Sequence, residues 1–150
     1  MLDSHINLSV KRLSDKAVIP QYATAGSAGM DLHACLDQAL VIEPGQRVKV
    51  PTGLAIALPG PDCAAFLFPR SGLGVKSGIT LPNCVGVIDS DYRGEVIVGL
   101  VNLSDTAYTV QPGDRIAQMV ILPVARAQIQ VVDQLDDTDR GAGGFGSTGK

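Results

Sequence analysis

The sequence predicts an all-β domain, a sandwich or barrel of short strands, and three observations carry that expectation. Seventeen Gly and nine Pro are spread along 150 residues and punctuate short β-branched runs at intervals, the pattern of sheet proteins. No segment sustains the apolar period of a long helix. Hydrophobic residues make up 45% of the chain but aromatics only 4%, with no Trp, so the core must be built from Val, Ile, Leu and Ala.

In chain order the expected strands are residues 6–13, 46–50, 54–58, 64–68, 78–81, 94–102, 108–110, 115–122 and 128–132. Arg47-Val48-Lys49-Val50 alternates as a strand with one wet face does. Val96-Ile97-Val98-Gly99-Leu100-Val101 is apolar on both faces and needs two covers, the second being either the opposite sheet or a neighbouring copy. Glu43-Pro44-Gly45-Gln46 and Gln111-Pro112-Gly113-Asp114 share the type II turn pairing, in which Pro presets φ and Gly supplies φ > 0. Each precedes an Arg and an apolar strand, an internal echo that predicts two pseudo-equivalent hairpins. From Asp133 the composition changes to Asp, Thr and Gly. The chain therefore divides into one β domain, residues 1–132, and a tail, residues 133–150, which cannot build a core and is expected to be mobile until something binds it.

A chain of this length holds one core and buries roughly 68–70% of its unfolded surface. Fifteen acidic against twelve basic residues give a net charge of -3, which argues against nucleic-acid binding by phosphate neutralisation. Any anionic ligand must be met by a few placed donors. Cys35, Cys63 and Cys84 are far apart and form no C-x-x-C pair, which points to a reduced compartment rather than a disulfide framework or zinc knuckle. The first dozen residues lack a signal-peptide core, and no stretch reaches the ~18 apolar residues of a membrane span. A soluble cytoplasmic protein is expected, without membrane contact. With His5 and His33 as the only histidines, neither H-E-x-x-H nor the H-x-E pattern of zinc deaminases is present.

Five segments carry candidate chemistry. Residues 144–150 fit the first seven positions of G-x-x-x-x-G-K-[ST], a glycine nest for phosphate, but no strand leads in and no helix follows, so a P-loop fold is excluded. Phe145, a lone aromatic in a glycine run, suits a planar base. Pro69-Arg70-Ser71-Gly72-Leu73-Gly74 combines a guanidinium, a hydroxyl and two flexible backbone positions, a set suited to phosphate oxygens, or a plain strand-exit turn. Asn83-Cys84-Val85-Gly86-Val87-Ile88-Asp89-Ser90-Asp91-Tyr92-Arg93-Gly94 reads as a β-hairpin facing a pocket, with Asp89 either a base at its rim or a turn-stabilising Asx residue. Ala25-Gly26-Ser27-Ala28-Gly29-Met30-Asp31-Leu32 and Gly113-Asp114-Arg115-Ile116-Ala117-Gln118-Met119 are ambiguous when taken singly.

In this order and spacing the five segments resemble the five motifs of the trimeric dUTPases, the deoxyuridine triphosphate nucleotidohydrolases, over nearly the whole chain from Pro20 to Lys150. The resemblance implies a jelly-roll-like β subunit and a homotrimer with active sites shared between chains. It also implies Mg²⁺-dependent hydrolysis of dUTP to dUMP and pyrophosphate, keeping uracil out of DNA and supplying dUMP for thymidylate synthesis. It gives Asp89 the task of orienting and deprotonating the water that attacks the α-phosphorus. Asn83 and the backbone of Val87 and Ile88 would read the uracil edge, Tyr92 would pack under the deoxyribose, and Ile97 would line the same pocket. Arg70, Ser71, Gly72 and Gln118 would hold the phosphate chain. Arg140 and the tail, with Gly146, Ser147 and Thr148, would reach its γ end while Phe145 covers the base. The metal would sit mainly on the triphosphate, with Asp31 as an outer-shell group acting through water. Two other readings are a dCTP deaminase, similar in fold and revealed by ammonia release, and a non-catalytic trimer that binds dUTP as a signal.

Overall fold

Two antiparallel sheets and a two-stranded ribbon account for nearly all regular structure in the computed structural model, which describes residues 6–145. In chain order the elements are β1 (Ser9–Arg12), β2 (Met30–His33), β3 (Leu40–Ile42), β4 (Arg47–Ala57), β5 (Cys63–Phe68), α1 (Ser71–Ser77), β6 (Ile79–Thr80), β7 (Gly86–Ile88), β8 (Glu95–Asn102), β9 (Tyr108–Val110) and β10 (Arg115–Pro123). One sheet runs β1-β4-β8-β6, the other β2-β10-β5-β7, and β3 pairs with β9. A single aliphatic core joins the sheets, with Val50, Val96, Val98 and Leu100 from the first and Leu32, Ala65, Ala117 and Met119 from the second. Ring-free packing of this kind is what the composition required.

The two Pro-Gly turns form as expected. Gln46 N donates to Glu43 O at 2.9 Å and Asp114 N to Gln111 O at 3.1 Å, with Gly45 and Gly113 at φ 74° and 83°. Their echo is real but the motif is a corner, not a hairpin. Each turn carries the chain out of the ribbon, from β3 into β4 and from β9 into β10, while β3 and β9 pair with one another. Asn102, fully buried at the end of β8, ties the first corner down. Its side-chain amide donates to Ile42 O at 2.9 Å and Thr106 O at 2.7 Å, and its oxygen accepts from Ser104 N and Oγ at 2.9 and 2.7 Å. All four hydrogen-bonding capacities of the amide are thereby used.

Several expected boundaries change. Residues 46–50 and 54–58 belong to one strand, β4, because the apparent breaker Gly53 makes a bulge: φ is 67° and the register with β8 shifts between Pro51 and Ala55. A side chain at Gly53 would lie 2.7 Å from Cys35 Sγ. The segment after β5 is not a plain turn but the seven-residue helix α1, closed by Gly78 in the left-handed region. The strands β2 and β3 have no signal in the sequence, since three or four residues give too little alternation to read. The hairpin expected over residues 83–94 does not form: β7 pairs with β5, and the chain then crosses to β8 in the other sheet. Residues 128–132 do not form a strand. Gln128-Ile129-Gln130-Val131 alternates as a strand would, but none of the described residues pairs with it, and Ile129 and Val131 stand 87% and 92% exposed. The doubly apolar β8 buries Val96, Val98 and Leu100 in the core, while Ile97 on its other face is 45% exposed. The opposite sheet thus supplies one cover, and nothing among the described residues fully supplies the other.

Candidate active site

The sheet β2-β10-β5-β7 gathers three of the five segments at one end. Asp31 on β2 pairs across β10 with Gln118, and Gln118 pairs with Phe68 at the end of β5. Opposite residues in an antiparallel ladder share a face, and Arg70 lies two positions beyond Phe68 on that same face. The Asp31 carboxylate is held from two sides, by Arg70 Nε on Oδ1 at 3.1 Å and by an Arg115 guanidinium nitrogen on Oδ2 at 3.3 Å. Gln118 donates its amide to Pro69 O at 3.1 Å, which fixes the segment that presents Arg70. Ser71 and Gly72 follow as the exposed first residues of α1.

His33, two residues along β2 from Asp31, has a buried Nδ1 that finds no hydrogen-bond partner among the described residues. Burial pulls its pKa below the ordinary value; the Asp31 carboxylate opposes this, and Arg115 and Arg70 reinforce it. The imidazole is therefore neutral near pH 7 and adds no cation to the two guanidinium groups. Asp31 and His33 also line a cleft of about 690 Å³ with Arg12, Lys16, Gln21 and Tyr22.

A second cavity, of about 280 Å³, lies where β7 and β8 part into different sheets. Asn83, Val87, Ile88, Asp89, Tyr92 and Ile97 all line it, with Leu67, Gly86, Glu95 and Val96. One wall is the free edge of β7, which among the described residues pairs only with β5, so its outward backbone groups have no partner strand there. The turn after β7 closes by Tyr92 N donating to Asp89 O at 3.1 Å, and this leaves the Asp89 side chain exposed at the mouth. The Asx-turn alternative for Asp89 has no bond to support it, since no side-chain hydrogen bond of Asp89 to the turn is present among the described residues.

Within one chain these two groups do not meet. Ala65 pairs with Ile88, so Asp89 lies beside the Ala64 end of β5 while Arg70 lies six residues further along it, roughly 20 Å at ~3.3 Å per residue. Arg140 and Phe145 sit on the exposed C-terminal segment and line neither group, Phe145 being wholly exposed. Gly146, Ser147 and Thr148 lie outside the described residues. Among those described, no three His, Cys, Asp or Glu side chains cluster as a metal cage. Asp31 nonetheless fits an outer-shell part, since each carboxylate oxygen keeps a lone pair beyond its guanidinium contact and can accept from a metal-bound water.

Arg115 stands inside the Gly113–Met119 string, but its partner Asp31 is 84 residues away, too far for a local pattern to mark the pair. Glu95 opens β8, and its carboxylate accepts from Gly53 N at 2.8 Å across 42 residues. A charged residue at the edge of an apolar strand is the one sequence signal for either.

Comparison with known proteins is consistent over the whole chain. A family model described as dUTPase matches residues 15–149. A deoxyuridine 5'-triphosphate nucleotidohydrolase of Idiomarina loihiensis is 53% identical over 150 residues, covering 100% of this chain and 99% of that protein. A solved structure of a Staphylococcus bacteriophage 80alpha dUTPase variant with dUpNHpp superposes with a TM-score of 0.87 at 26% identity, covering 96% of this chain and 99% of the phage protein. At 22% identity and a TM-score of 0.79, the dUTPase of phage phi11 of S. aureus shares the fold, over 87% of this chain and 99% of that one; its structure is described as showing a structural Mg(II) ion.

Proposed function

The chain belongs to the dUTPase family, and from that premise we propose that it hydrolyses dUTP to dUMP and pyrophosphate at sites shared between three copies. The single observation that carries this reading is the free edge of β7 beside Asn83, Tyr92 and Asp89 around one small cavity. Unpaired backbone donors and acceptors at Val87 and Ile88, with the Asn83 amide, recognise a uracil edge. Cytosine presents the reversed pattern at that edge and leaves buried groups unpaired. Tyr92 closes the sugar side, and Ile97 packs on the nucleoside.

Asp89 at the mouth takes a proton from water as its oxygen bonds to the α-phosphorus. The bond from that phosphorus to the bridging oxygen then breaks, and pyrophosphate leaves. Arg70, Ser71, Gly72 and Gln118 hold the phosphate chain in line, so the rate enhancement rests chiefly on positioning and charge neutralisation. Asp31 would hold a triphosphate-bound Mg²⁺ through its water shell, and the ion would supply neutralisation of the charge that develops on the phosphates. Arg140 and the tail, through Gly146, Ser147 and Thr148, complete the γ end, and Phe145 covers the base.

The separation of roughly 20 Å between Asp89 and Arg70 along β5 supports sharing between copies. A homotrimer also supplies covers for the exposed apolar side chains Ile129 and Val131. No helix among the described residues is long and apolar enough to cross a membrane, and we place the activity in the cytoplasm. Pyrophosphate release from dUTP, dTTP, dCTP and UTP tests the reading. Turnover of dUTP should exceed the other three by on the order of 10²-fold or more in kcat/KM, whereas ammonia release from dCTP would make it a deaminase.

A further inference from the structure

We propose that Gly94 is a specificity-positioning residue: the missing side chain at 94 lets the Tyr92 ring lie where it shuts the sugar side of the pocket against a 2′-hydroxyl. The proposal rests on the reading of Tyr92 as the residue that closes the sugar side.

A Cβ built on Gly94 would lie 2.4 Å from the Tyr92 hydroxyl oxygen, 2.6 Å from its Cζ and 3.0 Å from its Cε2. All three nearest atoms thus belong to one ring. Gly94 is not among the glycines with positive φ, so its backbone conformation is open to alanine. The ring itself is the reason for glycine here. Tyr92 folds back over Gly94 and its hydroxyl donates to Glu95 O at 2.9 Å.

The backbone on either side is pinned independently of that ring. Before it, the Asp89 turn is braced by an Arg93 guanidinium nitrogen donating to Ser90 O at 2.8 Å and Tyr92 O at 2.9 Å. After it, the Glu95 carboxylate holds Gly53 N at the β4 bulge. The movable part is the Tyr92 side chain, which is 44% exposed and has room to swing outward. A methyl group at 94 therefore displaces the ring rather than the turn, breaks its bond to Glu95 O and opens the sugar side.

The test compares kcat/KM for dUTP and for UTP in the parent enzyme, Gly94→Ala, Tyr92→Ala and the double variant. Gly94→Ala should lower the dUTP-to-UTP ratio by about tenfold or more, and should add nothing to the loss in Tyr92→Ala, because the glycine acts only through the ring. Any fall in the melting midpoint of Gly94→Ala should disappear in the double variant, which has no ring for the methyl group to meet. A parental ratio in Gly94→Ala beside a reduced one in Tyr92→Ala overturns the proposal and leaves the sugar reading intact. Unchanged ratios in both variants overturn the sugar reading and the proposal with it. A midpoint lowered equally in both backgrounds overturns the role of the ring.

Discussion

Asp89→Asn should fold and bind dUTP as the parent chain does while losing about 10²–10⁴-fold of its turnover, the usual contribution of a positioned general base. The side chain stands exposed at the mouth of the β7–β8 cavity, and the turn beneath it closes through its backbone carbonyl to Tyr92 N. An amide of nearly the same shape therefore leaves both turn and cavity in place. What it removes is the capacity to accept the proton of the attacking water. Rapid-quench turnover at saturating dUTP, beside binding of a non-hydrolysable analogue, separates the two effects. Near-parental turnover would assign the base to another group.

Removing residues 140–150 should leave the assembly and its thermal midpoint nearly unchanged but lower kcat/KM for dUTP by on the order of 10²-fold, the scale of losing correct substrate placement. Among the described residues of this segment, hydrogen bonds are confined to local turns, Gly141 N to Thr138 O and Gly143 N to Arg140 O. Phe145 contributes nothing to the core. Five glycines within residues 140–149 make ordering costly in chain entropy, so a ligand must supply the offset. A triphosphate does so through Arg140 and the neighbouring polar groups, and closure then excludes water from the reacting centre. Full activity in the truncated chain would reduce the segment to a passive terminus.

The long strands and both Pro-Gly turns were legible because their signals are local: β-branched runs and the φ demands of Gly45 and Gly113. What failed was partnership. Gln128-Ile129-Gln130-Val131 has a strand's alternation and no strand to join, since pairing is a property of two segments and only one is written at that place. Gly53 reads as a breaker unless one knows that Cys35 will press against it. The helix α1 escaped because two glycines in seven residues oppose helix propensity, and no apolar stripe announces it; its buried residues number none. The site divides the same way. Residues 83–97 with Leu67 form one largely local cavity, whereas the Asp31–Arg70–Arg115 contacts span 39 and 84 residues, a distance over which no local pattern names the partner.

The central claim is that a working site takes Arg70 and Asp89 from different copies, and complementation tests it most directly. Arg70→Ala and Asp89→Asn chains, each nearly inactive alone, are unfolded together in equal amounts, refolded and assayed for dUTP hydrolysis. In a shared site, one chain must bring an intact Arg70 and its neighbour an intact Asp89, so random assembly should restore about one quarter of parental activity. Activity that stays at the level of the two variants measured separately, in assemblies shown to be mixed, would contradict the shared site.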